Sequence, residues 1–579
     1  MNPSEFSLVD FFYLENSELP LKKRVNSEGL YAPREPEEKA GAGAACGIAG
    51  TVRKRFPVAQ EGELLIPAEP LKPGEQYRFH FDMSRCVGCQ CCVVACNEQN
   101  NNPAEVNWRR VGEIEGGVYP ATKRYHLSMA CNHCLDPSCL TGCPTDAYVK
   151  LENGVVKHKA EECIGCGYCS WNCPYGVPQF NPERRIVTKC DMCHERLADG
   201  QEPACVAACP EQAIRIEKVN VEEWRKDHGQ ANAPHLPESD MTLSTTRITL
   251  PKEIPQEMLK VNRHRLEPEK PHTSLIFMTV LTQLAAGGFL TLWLGNLLRP
   301  LPGFLEFGAT GMLSVTVLAL LASVFHLGRP LHATKALRMW KRSWLSREVL
   351  FFSLFSFLGC GFAGVLLTAD FFSFTLPGAF QWGWGGAVSL LGMAGVFASA
   401  KIYRVPARPA WNSIRTPLRF FLTGFILGPL FGLVVYSIYL LTHSVSRISS
   451  LEGGLIAGLI FVSCVASFSQ LLVMFSRFAY LSETKSIELH DSALLLLKRF
   501  KGHFFLRIGI LVSGSFIFPM LLFYFLGNGQ MTSLRLFLLG WAGFILSLAG
   551  ELLGRYLFFV TVVPKNMPGS FFTANGNGH

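Results

Sequence analysis

Sixteen cysteines fall into four regularly spaced runs between residues 86 and 209. The runs are Cys86-x2-Cys89-x2-Cys92-x3-Cys96, Cys131-x2-Cys134-x4-Cys139-x3-Cys143, Cys163-x2-Cys166-x2-Cys169-x3-Cys173 and Cys190-x2-Cys193-x11-Cys205-x3-Cys209. In such a run, three thiolates on a tight loop bind three irons of one cubane, and the fourth cysteine binds the other cubane of a two-cluster unit. Because all sixteen positions are cysteine, the spacing predicts four 4Fe–4S clusters.

Of two other uses of so many cysteines, the sequence strongly disfavours structural zinc and excludes a disulfide scaffold. Structural zinc takes four ligands in two separated pairs, whereas three cysteines within seven residues suit a cubane. Disulfide scaffolds are short, secreted and preceded by a signal peptide, but residues 1–40 are charged throughout and have no apolar segment of signal length. Of the leftover cysteines, we expect Cys91, Cys360 and Cys464 to pack as small apolar groups; Cys46 has no assigned role.

Long apolar segments make up the second half of the chain. Of the 579 residues, 49% are hydrophobic and 17% are charged, and the mean hydropathy is +0.20. Eight segments have roughly the 20 residues that cross a bilayer core, and their short charged loops argue against a soluble helical core. They run approximately over 274–297, 305–326, 349–369, 383–402, 418–441, 454–476, 504–526 and 536–561.

These two kinds of sequence predict the fold class. It is an α+β ferredoxin-like domain with four clusters, fused to an all-α membrane bundle of eight transmembrane helices. The predicted parts are a partly extended arm (1–75), the four-cluster domain (76–217), a proline-rich tether (218–273), the membrane anchor (274–562) and a C-terminal tail (563–579).

Basic residues are distributed unequally between the two sides of the predicted bundle. With eight spans, the cysteine domain, the loops after spans 2, 4 and 6, and the C-terminus share one face. That face has 17 basic residues and the other face has 3. This bias predicts an inner-membrane protein with the cysteine domain and both termini in the cytoplasm. We therefore interpret the net charge of +8 as a consequence of membrane topology rather than as a sign of nucleic-acid binding. The 17 are Arg329, Lys335, Arg338, Lys341, Arg342, Arg347, Lys401, Arg404, Arg408, Arg415, Arg419, Arg477, Lys485, Lys498, Arg499, Lys501 and Arg507, and the 3 are Arg299, Arg447 and Arg535.

The two halves resemble two subunits of one enzyme class. The stretches CNHCLDPSCLTGCP, CIGCGYCSWNCPYGVPQF and KCDMCHERLADGQEPACVAACPEQAI resemble the four-cluster electron-transfer subunit of the dimethyl sulfoxide reductase class of molybdoenzymes. The stretches HLGRPLHATKAL, WNSIRTPLRFFLTGFILGPL and GELLGRYLFF are similar to the anchor subunit of that class. The resemblance implies an anchor that oxidises quinol, a series of clusters that transfers the electrons, and a separate molybdopterin-containing catalytic subunit. The cluster subunit and the anchor subunit, which are usually two chains, are fused in this sequence.

The resemblance also implies a nested arrangement of two-cluster units, although the spacing alone allows adjacent runs to pair. In the nested arrangement, Cys209 completes the cluster of the first run and Cys96 that of the fourth. Likewise, Cys173 completes the cluster of the second run and Cys143 that of the third.

One feature departs from the family. Well-known members carry the catalytic and cluster subunits outside the cytoplasmic membrane, exported folded with a twin-arginine signal on the catalytic subunit. Here the loop charges predict a cytoplasmic cysteine domain, and we expect no export signal on it because residues 1–40 contain no apolar segment of signal length. We therefore expect a cytoplasmic catalytic partner, for which a nitrate-reductase-like enzyme is one candidate, and this puts dimethyl sulfoxide in doubt as the substrate.

A quinol site needs hydrogen-bond partners for the quinol oxygens and an acceptor for its protons, and ionisable residues at the edges of spans are the first candidates. His326 ends the second predicted span on the cysteine-domain face. Secondary candidates on the same face are Arg329, Trp411, Arg415 and Thr416. Glu551 and Arg555, four residues apart on the last span, are either a structural ion pair or part of a proton-release path.

The sequence leaves three functional alternatives. Haem b needs two axial histidines at one depth. His326 and His443 end spans at opposite faces and cannot form that pair, whereas His503, at the start of the seventh span, lies on the same face as His326 and keeps haem as an alternative. No haem is expected. In the second alternative, electrons flow through the same clusters in the opposite direction, from a formate- or hydrogen-oxidising partner to quinone. The third is a transporter with a cluster domain as redox sensor, which the lack of paired Gly/Pro-broken spans disfavours. The quinol is menaquinol or ubiquinol.

Overall fold

A computed structural model describes residues 65–568, except 256, 262–265, 299, 302, 372–375, 446–447 and 483–485. The N-terminal arm with Cys46, most of the C-terminal tail, and the basic residues Arg299, Arg447 and Lys485 lie outside the described residues.

Short strands and helices form the cysteine-rich domain. Its strands are β1 (Glu75–Asp82), β2 (Arg110–Gly116), β3 (Lys123–Met129), β4 (Tyr148–Lys150), β5 (Val156–His158), β6 (Gln179–Asn181), β7 (Ile186–Thr188), β8 (Ile214–Asn220), β9 (Arg247–Thr249) and β10 (Met258–Lys260). Its helices are α1 (Cys91–Asn100), α2 (Ser138–Gly142), α3 (Tyr168–Asn172), α4 (His194–Ala198), α5 (Ala204–Ala207) and α6 (Val221–Lys226).

The strands form two three-stranded sheets, ordered β8-β1-β9 and β10-β2-β3, and two hairpins, β4-β5 and β6-β7. The antiparallel pair of β1 and β8 packs on the largest hydrophobic core of the domain, because Phe79 and Phe81 alternate inward and lie opposite Ile216 and Ile214. All four side chains are buried.

The segment 218–273 is more than a tether. It supplies α6, it adds β9 parallel to β1, and it adds β10 antiparallel to β2. Its prolines fall between these elements, and strands of three residues carry too little alternation to be recognised in sequence. The sheets of the cysteine domain are therefore completed by residues that precede the first membrane helix.

The eight expected membrane spans are confirmed. They are α7 (Thr273–Leu298), α8 (Phe304–Val324), α9 (Trp344–Phe371), α10 (Gly378–Ile402), α11 (Arg415–Thr442), α12 (Ser450–Leu481), the composite of α14 (Lys501–Val512) and α15 (Phe518–Gly527), and α16 (Ser533–Val560). A π-helical turn, Ser513–Ile517, joins α14 and α15. A short helix, α13 (Ile487–Leu494), precedes the seventh span.

Small residues allow the central helices to approach closely. A Cβ on Gly428 of α11 would lie 2.5 Å from the carbonyl carbon of Gly287 on α7, and one on Gly287 would collide with the backbone of Gly424. Glycines spaced by four residues are a common interface between membrane helices, because they let two backbones touch. This crossing holds α7 against α11 at the centre of the bundle.

The cysteine domain is anchored in the membrane bundle by a tryptophan. Trp171 of α3 is buried, and its ring centroid lies 5.3–5.7 Å from the rings of His272, Tyr403 and Trp411. The C-terminal segment returns to the domain, because Met567 is buried in the core of that domain and the Arg110 guanidinium donates to Asn566 Oδ1 (3.2 Å).

The structure corrects part of the loop-charge count. Arg419, Arg477 and Arg507 count as loop residues in the sequence, but they lie inside α11, α12 and α14 and are buried. Lys335 and Arg338 do lie in the loop between α8 and α9, but both bind Glu162 of the cysteine domain. Part of the positive charge therefore serves contacts within the protein as well as topology.

Candidate redox sites

The sixteen motif thiols gather into four groups of four. Each group combines three cysteines of one run with the last cysteine of another, which is the grouping of the nested arrangement. Pocket A is lined by Cys143, Cys163, Cys166 and Cys169; pocket B by Cys131, Cys134, Cys139 and Cys173; and pocket D by Cys86, Cys89, Cys92 and Cys209. In group C, Cys96 lies close to Cys193 and Cys205, and Cys190 lies close to Cys96 and Cys205.

The short helices explain the crossing of the fourth cysteine. In the second, third and fourth runs, the third cysteine lies within α2, α3 or α5, and the fourth follows the end of that helix, where the backbone leaves the pocket. Backbone amides then reach the displaced thiols: Ala147 N–H donates to Cys143 Sγ (3.3 Å) and Ala213 N–H to Cys209 Sγ (3.3 Å).

The donor sets fit iron–sulfur clusters. Thiolates are the ligands that such clusters take, and groups A, B and D each line a pocket. Within the described part of the protein, no three His, Cys, Asp or Glu side chains converge as the ligands of one metal ion would. Burial raises the pKa values of the Cys134 and Cys166 thiols to about 12, so cluster assembly must displace protons from them.

Two buried cations lie between the groups. Arg109 donates to Ser128 Oγ (3.1 Å), which in turn contacts Cys92 Sγ (3.2 Å). Lys189 Nζ lies 3.6 Å from Cys131 Sγ and donates to the Cys190 carbonyl (2.7 Å). Burial lowers the pKa of Lys189, but the neighbouring thiols of Cys131 and Cys139 outweigh this and raise it.

The contacts order the four groups from the membrane outward as A, B, C and D. Cys139 and Cys143 of one run join B to A, the Lys189–Cys190 segment joins B to C, and Cys92 and Cys96 join C to D. Pocket D is at the surface, where Cys89 and Cys91 are exposed and Val87 and Val94 are about 60% exposed. The expectation that Cys91 packs as a buried apolar group is therefore wrong, because α1 presents it to solvent.

Pocket A meets the membrane bundle at His326. The Nε2–H of His326 donates to the Cys166 carbonyl (3.0 Å). The loops approach closely because Gly165, at φ 71°, faces Gly328, whose Cα would lie 3.0 Å from a Cβ at position 165. Burial lowers the pKa of His326 to about 4. The ring is thus neutral at pH 7, with Nε2 as donor and Nδ1 left as an acceptor.

The other predicted quinol-site residues have partners of their own. Arg329 donates to the Ala160 carbonyl (2.9 Å), and Arg415 to Ser476 Oγ (2.8 Å). Trp411 is buried and donates to the Phe558 carbonyl (2.8 Å), and Thr416 donates to the Trp411 carbonyl (2.7 Å). Trp411 is linked to His326 by a series of ring contacts through Trp171 and His272.

Glu551 and Arg555 lie in one buried group but bind different residues. Glu551 accepts hydrogen bonds from Thr423 (2.6 Å) and Gln470 (3.2 Å). Arg555 donates to Gln283 Oε1 (2.7 Å). Their roles as catalytic residues stay predictions.

Two residues near pocket A are missed by sequence reasoning. The His272 ring packs edge-on against His326 (5.7 Å), but it falls in the predicted tether. Glu348 is buried beside Ser399, and it lies within electrostatic reach of Tyr168 and Tyr403. The predicted third span begins at 349 and leaves this acid in a loop, whereas α9 begins at Trp344.

Fold and thiol groups together define a multi-pass membrane protein that carries iron–sulfur clusters for electron transfer. Family models support both halves. Residues 268–560, just over half of the chain, match the DMSO reductase anchor subunit (DmsC), and residues 122–219 match a 4Fe-4S dicluster domain. The protein belongs to the DMSO reductase anchor-subunit family, with an iron–sulfur subunit fused to the anchor.

Curated relatives cover the iron–sulfur part. The protein is 41% identical over 178 residues to the B subunit of anaerobic dimethyl sulfoxide reductase of Haemophilus influenzae, covering 29% of this protein and 86% of the relative. It is 42% identical over 177 residues to the B subunit of the Escherichia coli K12 enzyme of the same name, covering 29% and 85%. It is also 36% identical over 171 residues to the formate dehydrogenase iron-sulfur subunit of H. influenzae, covering 25% and 55%.

We predict that Lys189→Met lowers the reduction potential of one cluster. A buried cation stabilises an added electron, and a unit charge several ångströms away contributes about 1–2 kcal/mol at an effective dielectric constant near 20, or roughly 40–90 mV for one electron. Redox titration followed by EPR measures the shift. The exposed Lys252→Met is the matched control and should leave all potentials unchanged; unchanged potentials in Lys189→Met would contradict the placement of this cation.

Proposed function

We propose that the protein oxidises quinol at the membrane face beside pocket A and passes the electrons to a separate molybdopterin-dependent reductase. The observation that carries the proposal is the hydrogen bond from His326 to the Cys166 carbonyl, because it links the predicted quinol site to the backbone of a predicted cluster ligand. The family match to the anchor and the similarity to the B subunits support the same interpretation.

We propose that His326 accepts a hydrogen bond from a hydroxyl group of the quinol. Its Nε2–H is held by a carbonyl, which only accepts, so Nδ1 has the lone pair that would receive a hydrogen bond from a quinol hydroxyl. Oxidation of quinol to quinone releases two electrons and two protons. A 4Fe–4S cluster, when bound, carries one electron at a time, so the two electrons leave in separate steps.

The sixteen motif cysteines are the proposed cluster ligands in groups A to D. We propose secondary roles for the other predicted residues. Trp411 and Thr416 bind each other and the end of α16, which suits positioning of the wall of the quinol site. Arg329 ties that wall to the cysteine domain, and Arg415 is the least supported, since its partner is Ser476 on α12. We add Glu348 as a buried acid that would take a proton near pocket A.

We propose that electrons leave the protein for its catalytic partner at pocket D. It is the group with an exposed cysteine, Cys89, and it is flanked by the exposed apolar side chains of Val87 and Val94. A molybdopterin-containing partner would bind there, on the cytoplasmic side if the loop charges set the orientation, where a nitrate-reductase-like enzyme is one candidate.

Reverse flow is the second candidate function. It is favoured by the similarity to the formate dehydrogenase iron-sulfur subunit, although that match covers only 55% of the relative. In that case, electrons from an oxidising partner would enter at pocket D and reduce quinone beside His326.

We predict that the purified protein contains about 16 Fe, four cubanes for sixteen ligands. Because Cys209 and Cys86 line the same pocket, Cys209→Ser and Cys86→Ser should perturb the same EPR signal, while Cys96→Ser perturbs a different one. Cys91→Ser, at an exposed leftover cysteine, should leave both signals and the iron content unchanged. Iron near half the expected value, or one signal shared by Cys209 and Cys193, would contradict the grouping.

We predict that His326→Leu abolishes reduction of the clusters by quinol, because the acceptor at Nδ1 is lost. Reduction by dithionite should persist, since the cysteine domain keeps its ligands. Stopped-flow absorbance at the cluster bands measures both. His332→Leu, at an exposed histidine of the same loop, should behave as the parent, and a normal quinol rate in His326→Leu would disprove the role.

We predict that a reporter active only outside the cytoplasm is silent when fused after His579. The remaining surplus of basic loop residues favours the cytoplasm for this face. Quinol oxidised beside His326 would then release its protons on the side where the partner consumes protons, so turnover would move no charge across the membrane. An active reporter would reverse the orientation and favour a partner outside the cytoplasm.

A further inference from the structure

Four arginines form a buried cluster inside the membrane bundle. Arg419 of α11, Arg477 of α12, Arg507 of α14 and Arg555 of α16 are each at most 7% exposed. Among the described residues, the charged groups found beside Arg419 are the other three arginines and one acid, Glu551. With one carboxylate among four guanidinium groups, this part of the structure carries an excess of three positive charges.

The described residues satisfy these guanidinium groups only in part: Arg419 donates to the Gly554 carbonyl (3.3 Å) and Arg555 to Gln283 Oε1 (2.7 Å). The Nη2 of Arg507 lies 3.6 Å from Glu551 Oε1, too long for a hydrogen bond, and Glu551 is already held by Thr423 and Gln470. Nitrogens of all four arginines have no hydrogen-bond partner among the described residues: Arg419 Nη1, Arg477 Nε and Nη2, Arg507 Nε and Nη2, and Arg555 Nε.

Aromatic rings supply part of the missing stabilisation. The guanidinium carbons of Arg419, Arg477 and Arg555 lie 5.5–5.7 Å from the centre of the Phe558 ring, and that of Arg555 lies 3.8 Å from the Phe420 ring. Such contacts contribute about 0.5–2 kcal/mol each, whereas an unpaired buried charge costs far more. A counter-anion is therefore required.

The position of the cluster indicates which anion. Each arginine lies within about two turns of the helix end that faces the cysteine domain, and we infer from this position that the cluster lies near the depth of lipid headgroups. Beside Arg477 and Arg507, the side chains of Leu472, Phe475 and Phe505 are more than half exposed on the outer surface of the bundle. Basic pockets between membrane helices bind anionic headgroups, and these exposed apolar side chains would contact the acyl chains.

We propose that the arginine cluster binds the phosphate of an anionic phospholipid between α12 and α14. A proton path through the same residues is disfavoured, because an excess of three positive charges repels protons. Guanidinium groups bind phosphate by paired N–H···O contacts, and the unpartnered nitrogens of Arg477 and Arg507 belong to the two helices that carry the exposed apolar side chains.

The test measures lipid binding to the purified full-length protein in non-ionic detergent. Native mass spectrometry with phosphatidylglycerol and with phosphatidylcholine should show a preference of at least tenfold for phosphatidylglycerol. Arg477→Gln should weaken phosphatidylglycerol binding at least tenfold, and Arg477→Lys should restore most of it. Arg499→Gln, which removes an exposed arginine on the same face, is the matched control and should bind normally.

A second variant keeps the test decisive if Arg477→Gln does not fold. Gln470→Glu adds a carboxylate beside Glu551, supplies an internal counter-charge and should also weaken phosphatidylglycerol binding tenfold. Equal binding of both lipids by the parent, or normal binding by the folded variants, overturns the proposal. It is also overturned if inorganic phosphate alone raises the melting temperature as much as phosphatidylglycerol does, because the ligand is then a free anion.

Discussion

Most of the redox architecture follows from one covalent constraint: the four cysteines of a run cannot all face one pocket. Three thiols close around a tight loop, and the short helix that follows carries the fourth to another pocket, so Cys143 lines pocket A while Cys139 lines pocket B. Each run thereby joins two pockets through a few residues of backbone. This crossing places the four groups in a line, with one end at the membrane and the other at the surface.

Aromatic packing and charged contacts hold the membrane end of that line. Trp171 belongs by sequence to the third cysteine run, yet its ring packs among the aromatic side chains of the membrane bundle. The loop after α8 also forms ion pairs with Glu162 and Asp146 of the cysteine domain. The C-terminal segment returns to the same domain through Asn566 and Met567. Because the two parts are fused, the polypeptide also connects them covalently where the chain enters α7. Packing would hold this interface together in addition to that connection.

Charged side chains are buried both in the cysteine domain and in the membrane bundle. In the cysteine domain, Arg109 and Lys189 lie beside thiols that become anionic when they bind iron, so their burial is balanced by the cofactor they accompany. In the membrane bundle, the arginines around Glu551 have no such balance within the described part of the protein. The same physical rule, that a buried charge needs a partner, explains the first site and identifies the second as incomplete.

Local patterns in the sequence determined the cysteine runs, the eight apolar spans and the family. A cluster-binding loop is encoded within a dozen residues, and a membrane span within about twenty. Contacts between distant residues were decided only by the tertiary structure. Spacing alone could not choose between nested and adjacent runs, nor show that His326 meets Cys166, that Lys335 and Arg338 bind Glu162, or that Arg419, Arg477, Arg507 and Arg555 converge. Each of these depends on how helices and loops far apart in the sequence pack against one another, and a charged residue at the end of a span has the same sequence signature whether it faces water, another domain or the interior of the bundle.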